Sequence, residues 1–139
     1  MASPPFSVVV PEAIHPPFGN YSHGVRVQGD VEWLVTSGQL GISKEGAIPE
    51  DVEAQAELCF RNVGAILAAA GMSFADVVRL CGYVTRREDF PIYMRVRDRF
   101  VQQPAPASTL LVVSGFTRPE MLVELEATAV RIPARHATP

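Results

Sequence analysis

The chain has 139 residues, of which 47% are hydrophobic and 19% charged, and its formal net charge is −3 at pH 7. This composition is typical of a globular protein, and the length predicts one domain, residues 1–139, with a core over about 6–132 and loose ends. The acidic balance disfavours binding to nucleic acid. No apolar run approaches the ~18 residues that span a membrane, and residues 1–5 lack the pattern of a signal peptide.

Two cysteines, Cys59 and Cys81, both lie inside apolar segments. This setting favours buried free thiols over a disulfide, which in turn indicates a reducing compartment. We therefore expect a cytoplasmic protein without a membrane partner.

The first third of the chain predicts three short strands. Residues 6–10 are rich in β-branched side chains, residues 24–28 alternate apolar and polar, and residues 33–37 are apolar again. Gly29 and Asp30 suit a turn between the last two, which predicts a β-hairpin. The loop between the first two strands is crowded with hydrogen-bonding and aromatic groups, as binding loops often are. These are His15, Phe18, Asn20, Tyr21, Ser22 and His23.

The strand over 33–37 ends in Ser37-Gly38-Gln39, with Gly41 close behind. Glycines let a ligand approach the backbone amides, and the side chains of Ser37 and Gln39 add donors and acceptors. Taken alone, this stretch fits an ordinary turn; with the rest of the chain it becomes a candidate binding turn.

Two helices are predicted in the middle of the chain. The first covers 51–70, with acidic residues in its first turn, a buried stripe every three or four residues and Gly71 as its left-handed cap. The second starts at Asp89, expected to be its N-cap, with Pro91 in its first turn. Its charged residues, Arg95, Arg97, Asp98 and Arg99, are predicted to form a solvated face.

Three further strands are predicted at 78–85, 109–113 and 122–131, giving the order β, β, β, α, β, α, β, β. This order indicates an α+β domain with one mixed sheet and both helices on one face. On the last strand Glu124 and Glu126 point away from the helices, among Leu122, Thr128 and Val130. A half-apolar exposed face of this kind predicts burial against another subunit.

Motifs for common cofactors and metals do not occur. The sequence has no phosphate-binding glycine loop, no dinucleotide fingerprint, no paired-histidine zinc motif and no C-x-x-C pair. His15 and His23 lack a third ligand in view. We therefore expect neither a metal nor an organic cofactor, which leaves hydrolysis with water or simple binding of a small molecule.

Seven short motifs occur in an order and at spacings that resemble one protein family. They lie at residues 19–23, 36–39, 53–55 with 61–63, 70–71, 89–90, 106–109 and 123–127. Together they resemble the Rid family, the reactive-intermediate deaminases also called YjgF-like proteins, over about residues 10–132. The resemblance implies the chorismate-mutase-like α+β fold and a homotrimer with clefts between neighbouring subunits.

The resemblance also implies an activity, the hydrolysis of small enamines and imines to 2-keto acids and ammonia. The family's loop aromatic falls on Tyr21, its ligand-facing turn on Ser37 and Gly38, and its acid on Glu124. A carboxylate there can orient a water and move its proton, and closely placed amides can hold an anion. His23 is a further candidate acid or base, because the ordinary pKa of histidine is near neutral.

Three positions depart from the family pattern. The active deaminases carry an arginine that pairs with the substrate carboxylate just before a sheet strand, but here Ala107 and Ser108 occupy that segment. Met94 stands where an asparagine is usual, and His23 where a glutamine is common. These departures resemble the arginine-lacking subfamilies and predict an atypical substrate contacting Met94, Ala107 and Ser108.

Three functions remain open from the sequence. The first is hydrolytic deamination of a small reactive imine or enamine, and the second is a trimeric protein that binds a small metabolite without catalysis. The third, RNA cleavage, has been assigned to some relatives, but the acidic charge and the lack of a basic aromatic stripe disfavour it.

Overall fold

The computed structural model describes residues 3–134, so the predicted core lies within it and the outermost residues of the two predicted loose ends do not. Seven strands and two α-helices occur in this range. They are β1 Phe6–Val9, β2 Gly24–Val27, β3 Glu32–Val35, β4 Gln39–Leu40, α1 Val52–Ala69, β5 Val77–Val84, α2 Phe90–Phe100, β6 Ala107–Val112 and β7 Val123–Arg131. Neither helix is long and apolar enough to cross a membrane.

Five of the strands form one mixed sheet. Its order is β3-β7-β5-β6, and β4 also pairs with β7. β5 and β6 run parallel, whereas the other pairs are antiparallel. Side chains from α1, α2, β5 and β7 share one apolar core, which includes Phe60, Tyr93 and Leu125. The predicted α+β class, a mixed sheet with two helices, is confirmed.

The predicted hairpin between β2 and β3 is wrong. β2 pairs with β1 in a separate two-stranded ribbon, with Phe6 opposite Val27, while β3 pairs with β7. Gly29 does adopt the left-handed conformation of a tight turn, with φ near +90°. A turn fixes only where the chain reverses, however, and Leu34 of β3 gains a partly buried position against the core by pairing with the longer strand β7.

The first helix follows its prediction closely. Asp51 is its N-cap and accepts a hydrogen bond from the Ala54 amide at 3.0 Å, an arrangement worth about 1 kcal/mol. Gly71, with φ near +72°, follows its end. Asn62 donates to the Leu40 and Ile42 carbonyls at 3.2 and 3.1 Å. Since those carbonyls flank Gly41, α1 holds the segment that follows the Ser37-Gly38 turn.

The second helix departs from its prediction at two residues. Asp89 is at the N-cap position but makes no capping bond; its buried carboxylate accepts from Arg86 at 2.8 Å instead. Arg97 is only 4% exposed, so the prediction that it is solvated is wrong. Residue 97 lies one turn after the fully buried Tyr93 and therefore shares its face, whereas Arg99 ion-pairs with Glu53 at the surface.

The sheet face opposite the helices is covered only in part. The ribbon lies near one end of it, where Val25 and Val27 line a shared groove with Trp33 and Arg79. Val130, predicted to be on the open face, is fully buried. The rest of this face keeps large apolar groups exposed, including Val35 at 71% and Leu111 at 51%.

Both cysteines are free and buried, as predicted. Burial, and after it the negative charge of Glu124, raise the pKa of the Cys59 thiol to about 12. Because the thiolate is the reactive form, Cys59 is chemically inert at neutral pH.

Candidate functional site

A cavity of about 330 Å³ lies between α2, β6 and the loop that precedes β2. Its size falls within the range of small-molecule sites. The lining combines apolar, aromatic and polar side chains. They come from Phe18, Gly19, Tyr21, Phe90, Met94, Arg97, Ser108 and Leu110. Three of the predicted site residues, Tyr21, Met94 and Ser108, thus meet in one place.

The loop that carries Tyr21 is held by its own hydrogen bonds. The Tyr21 hydroxyl accepts from the Phe18 amide at 3.1 Å, and the Tyr21 amide donates to the Gly19 carbonyl at 3.0 Å. The buried Ser22 hydroxyl donates to the Ala105 carbonyl at 2.6 Å. These contacts fix the aromatic ring at the cavity wall before any ligand binds.

Arg97 is the charged lining residue that sequence reasoning missed, along with the apolar Phe90 and Leu110. Its side chain is 5% exposed, and its Nε donates to Asp98 Oδ1 at 3.1 Å. A Cβ atom placed on Gly19 would lie 3.8 Å from Arg97 Nη2, so the guanidinium reaches the loop side of the cavity. The available signal was its spacing of four residues from Tyr93, which was outweighed by the charged residues around it.

Ser108 and Ala107 face opposite sides of β6, as strand alternation requires. Ser108 lines the cavity, and its Oγ is buried with no hydrogen-bond partner in residues 3–134. Ala107 instead lines the groove beneath the ribbon. Of the two positions predicted to replace the family arginine, only Ser108 therefore reaches the cavity with Tyr21 and Met94.

His23 lies in that groove, away from the cavity. Its Nε2 is 2.8 Å from the His15 carbonyl oxygen, and its Nδ1 is buried without a partner among the described residues. Since a carbonyl only accepts, Nε2 carries the proton of the neutral ring. None of Tyr21, Ser108 and Glu124 lines the groove that contains His23.

Glu124 and Gly38 form a second centre. A Cβ atom on Gly38 would lie 2.6 Å from Glu124 Oε2, so the bare glycine makes room for the carboxylate. The Glu124 carboxylate makes no hydrogen bond within the described residues, whereas the Glu126 carboxylate accepts from the Tyr83 hydroxyl at 2.7 Å. Burial, and then the charge of Glu126, raise the pKa of Glu124 above its ordinary value.

The predicted site residues therefore fall into three separate sets. Tyr21, Met94 and Ser108 line the cavity; His23 and Ala107 line the groove; Ser37, Gly38 and Glu124 lie at the junction of β3, β4 and β7. Within residues 3–134, no group of three or more His, Cys, Asp or Glu side chains is placed to hold a metal ion.

Comparisons with known proteins identify the class. A family model described as Endoribonuclease L-PSP matches residues 12–131. The 2-iminobutanoate/2-iminopropanoate deaminase of Salmonella typhimurium is 34% identical over 117 residues, covering 81% of this chain and 88% of that protein.

Solved structures agree with that class. YyfB from Yersinia pestis, of the conserved Rid protein family, has a TM-score of 0.80 and 29% identity, covering 90% of this chain and 98% of that one. Escherichia coli TdcF with bound serine has a TM-score of 0.67 and 33% identity, covering 88% and 93%. The fold is thus the chorismate-mutase-like fold of YjgF-type proteins. The chain belongs to the Rid family.

Proposed function

We propose that this protein hydrolyses small reactive imines or enamines in clefts between subunits of a homotrimer. The observation that carries the proposal is the Glu124 carboxylate, which packs against Gly38 and has no hydrogen-bond partner among the described residues. A partly buried carboxylate with a raised pKa and free acceptor positions is suited to moving protons. The named activity of the Salmonella deaminase supports the same chemistry.

The chemistry needs one carboxylate and one water. With a protonated imine, Glu124 accepts a proton from water as the water oxygen bonds to the imine carbon and the C=N π electrons move to nitrogen, which gives a neutral carbinolamine. Glu124 then gives that proton to the nitrogen. The C–N bond breaks as the C=O bond forms and the hydroxyl proton passes to Glu124, so the products are a carbonyl compound and ammonia, which takes the proton from Glu124 as it leaves.

A trimer would bring together the sets of predicted site residues that lie apart in a single chain. None of Ser37, Gly38 and Glu124 lines the cavity that contains Tyr21. The face that carries Glu124 also exposes Val35 and Leu111, large apolar residues that a neighbouring subunit would cover. We infer that this contact brings a cavity of one subunit to the Glu124 of the next.

The test is ammonia release from 2-imino acids that an amino-acid oxidase generates in the assay. Wild-type protein should speed ammonia release, and Glu124→Gln should reduce the enhancement by at least about 100-fold, the size of a general-base contribution. Glu126→Gln is the matched control, because a glutamine oxygen still accepts the Tyr83 bond. Equal rates in wild type and Glu124→Gln would exclude Glu124 as the base.

A second candidate is a trimeric protein that binds a small metabolite without catalysis. It is favoured by Ser108 and Met94, which stand where the resemblance to the active deaminases implies an arginine and an asparagine. TdcF, which is similar to this chain, has been solved with bound serine, a small amino acid. Saturable binding of a 2-oxo acid together with no acceleration of ammonia release would select this function.

A further inference from the structure

Arg97 is the charged member of the cavity lining. Four of its neighbours there, Phe18, Phe90, Met94 and Leu110, are apolar. A buried guanidinium in such surroundings is stabilised only if its donors find acceptors. Here Nε bonds Asp98, but neither terminal nitrogen makes a hydrogen bond within the described residues.

Asp98 binds only some of the hydrogen-bond donors of the Arg97 guanidinium. The Asp98 side chain is 46% exposed, and the same Oδ1 atom that meets Arg97 Nε also lies 3.4 Å from Asn20 Nδ2. A carboxylate that used both arms of the fork would give a bidentate pair, but this contact runs through Nε. Asp98 therefore orients the guanidinium and leaves its terminal nitrogens available to a ligand.

A second polar atom of the cavity also lacks a partner. Ser108 Oγ is buried and unbonded in residues 3–134, and it lines the same cavity as Arg97. One fixed cation, one hydroxyl and an apolar wall form a site for a small carboxylate with an apolar side chain. A cavity of about 330 Å³ has room for a side chain of several carbons.

We propose that Arg97, reaching the cavity from α2, binds the substrate carboxylate with help from the Ser108 hydroxyl, and that the apolar wall selects acids with larger apolar side chains. The proposal deepens the proposed function, on which it rests for the identity of the reacting group. It assigns the anion-binding role to a different element from β6, where the family arginine is missing. The predicted substrate class is 2-imino acids with branched or aromatic side chains.

The test measures binding of 4-methyl-2-oxopentanoate, a stable 2-oxo acid, against its neutral methyl ester, by ligand-observed NMR titration. Wild type should prefer the acid at least about tenfold, the value of one charged hydrogen bond. Arg97→Gln should remove that preference and leave ester binding within about twofold. Arg95→Gln, which removes the same charge from an exposed position two residues earlier, should keep it.

A measurement on the wild-type protein guards against a folding defect in Arg97→Gln. In ¹⁵N-labelled protein, one arginine Nε–H signal should shift on adding the acid but not the ester, and that signal should be missing from Arg97→Lys. If no arginine signal responds, or if Arg97→Gln folds and prefers the acid as wild type does, the assignment is overturned.

Turnover separates this proposal from the proposed function. Ammonia release with an unchanged acid preference in Arg97→Gln overturns the role of Arg97 and leaves hydrolysis standing. Acid binding that depends on Arg97, without any ammonia release, supports the role of Arg97 and overturns hydrolysis.

Discussion

Glu124 lies so close to Gly38 that a methyl group at position 38 would come within 2.6 Å of its carboxylate. The clash falls on the far end of a side chain that can rotate, so Gly38→Ala should displace the carboxylate with little strain on the backbone. We expect ammonia release to fall at least about tenfold while the melting temperature changes by less than about 4 °C. Ammonia release and thermal denaturation on the same protein samples check both expectations.

The control for Gly38→Ala is Gly115→Ala. A Cβ atom there meets nothing within 4 Å, and Gly115 is not among the glycines with positive φ. This variant should keep both activity and melting temperature. A Gly38→Ala protein with wild-type activity would show that the carboxylate need not stay where the structure places it.

The pH dependence of activity should report the raised pKa of Glu124. Its causes are burial first and then the charge of Glu126. The base acts as the carboxylate, so the rate should rise with pH through a midpoint above 4.5, the ordinary value. Glu126→Gln removes the second cause and should move that midpoint down. A midpoint that is the same in both proteins contradicts the coupling of the two carboxylates.

The contribution of Glu124 to the stability of the fold should fall as pH rises, whereas the activity should rise. A carboxyl whose pKa is raised by folding stabilises the folded state while protonated, and this contribution is lost as pH rises through the folded-state pKa. Glu124→Gln should therefore melt at or above the wild-type temperature at pH 7, with a smaller difference near pH 4. Earlier melting of Glu124→Gln at pH 7 would mark Glu124 as an interface residue and remove it from the proposed mechanism.

The proposed homotrimer can be tested by measuring the mass of the protein in solution and by placing one charge at the expected interface. Light scattering should give three times the 15.1 kDa chain mass. Val35→Lys places a charge on an apolar side chain that is 71% exposed in one subunit and should dissociate the trimer, because an unpaired charge buried at an interface is costly. Ala65→Lys, on the exposed side of α1, should leave the mass unchanged. A wild-type mass near that of one chain contradicts the assembly.

Local sequence patterns predicted the positions of the helices and strands better than they predicted which strands pair. The buried stripe of α1, its acidic start and its end at Gly71 depend on neighbours within a few residues, and all three were predictable. The pairing of β3 with β7 joins residues about a hundred positions apart, and the turn at Gly29 held no information about it.

The residues of the candidate site also divide into those that the sequence could indicate and those that depend on tertiary structure. Tyr21, Met94 and Ser108 could be placed by resemblance to a family, and the structure brings them to one cavity. Arg97 could not, because a charged residue among charged neighbours indicates a solvated face, and only the packing of Tyr93 shows which side of α2 is buried. The separation of Glu124 from the cavity also depends on tertiary structure.

The last prediction concerns moving the guanidinium from position 97 on α2 to position 108 on β6. Because Ser108 and Arg97 line the same cavity, arginine at position 108 should replace a lost charge at position 97. Wild type should act only weakly on 2-iminopropanoate, since the carboxylate is held from α2 and a small side chain leaves the apolar wall unfilled. We expect Ser108→Arg to raise that activity, as the cation then lies on β6, where the resemblance to the family implies an arginine.

The double variant Arg97→Gln with Ser108→Arg carries the decisive comparison. It should regain the acid preference that Arg97→Gln loses, by about tenfold, and should favour 2-iminopropanoate over larger imino acids. In the wild-type background the same Ser108→Arg change should gain less affinity for the acid, because two guanidinium groups in one cavity repel each other. The matched control, Arg97→Gln with Ala107→Arg, places the new charge in the groove beneath the ribbon and should not restore the preference. Equal rescue from positions 107 and 108 would mean that net charge, and not a guanidinium in this cavity, governs binding of the acid.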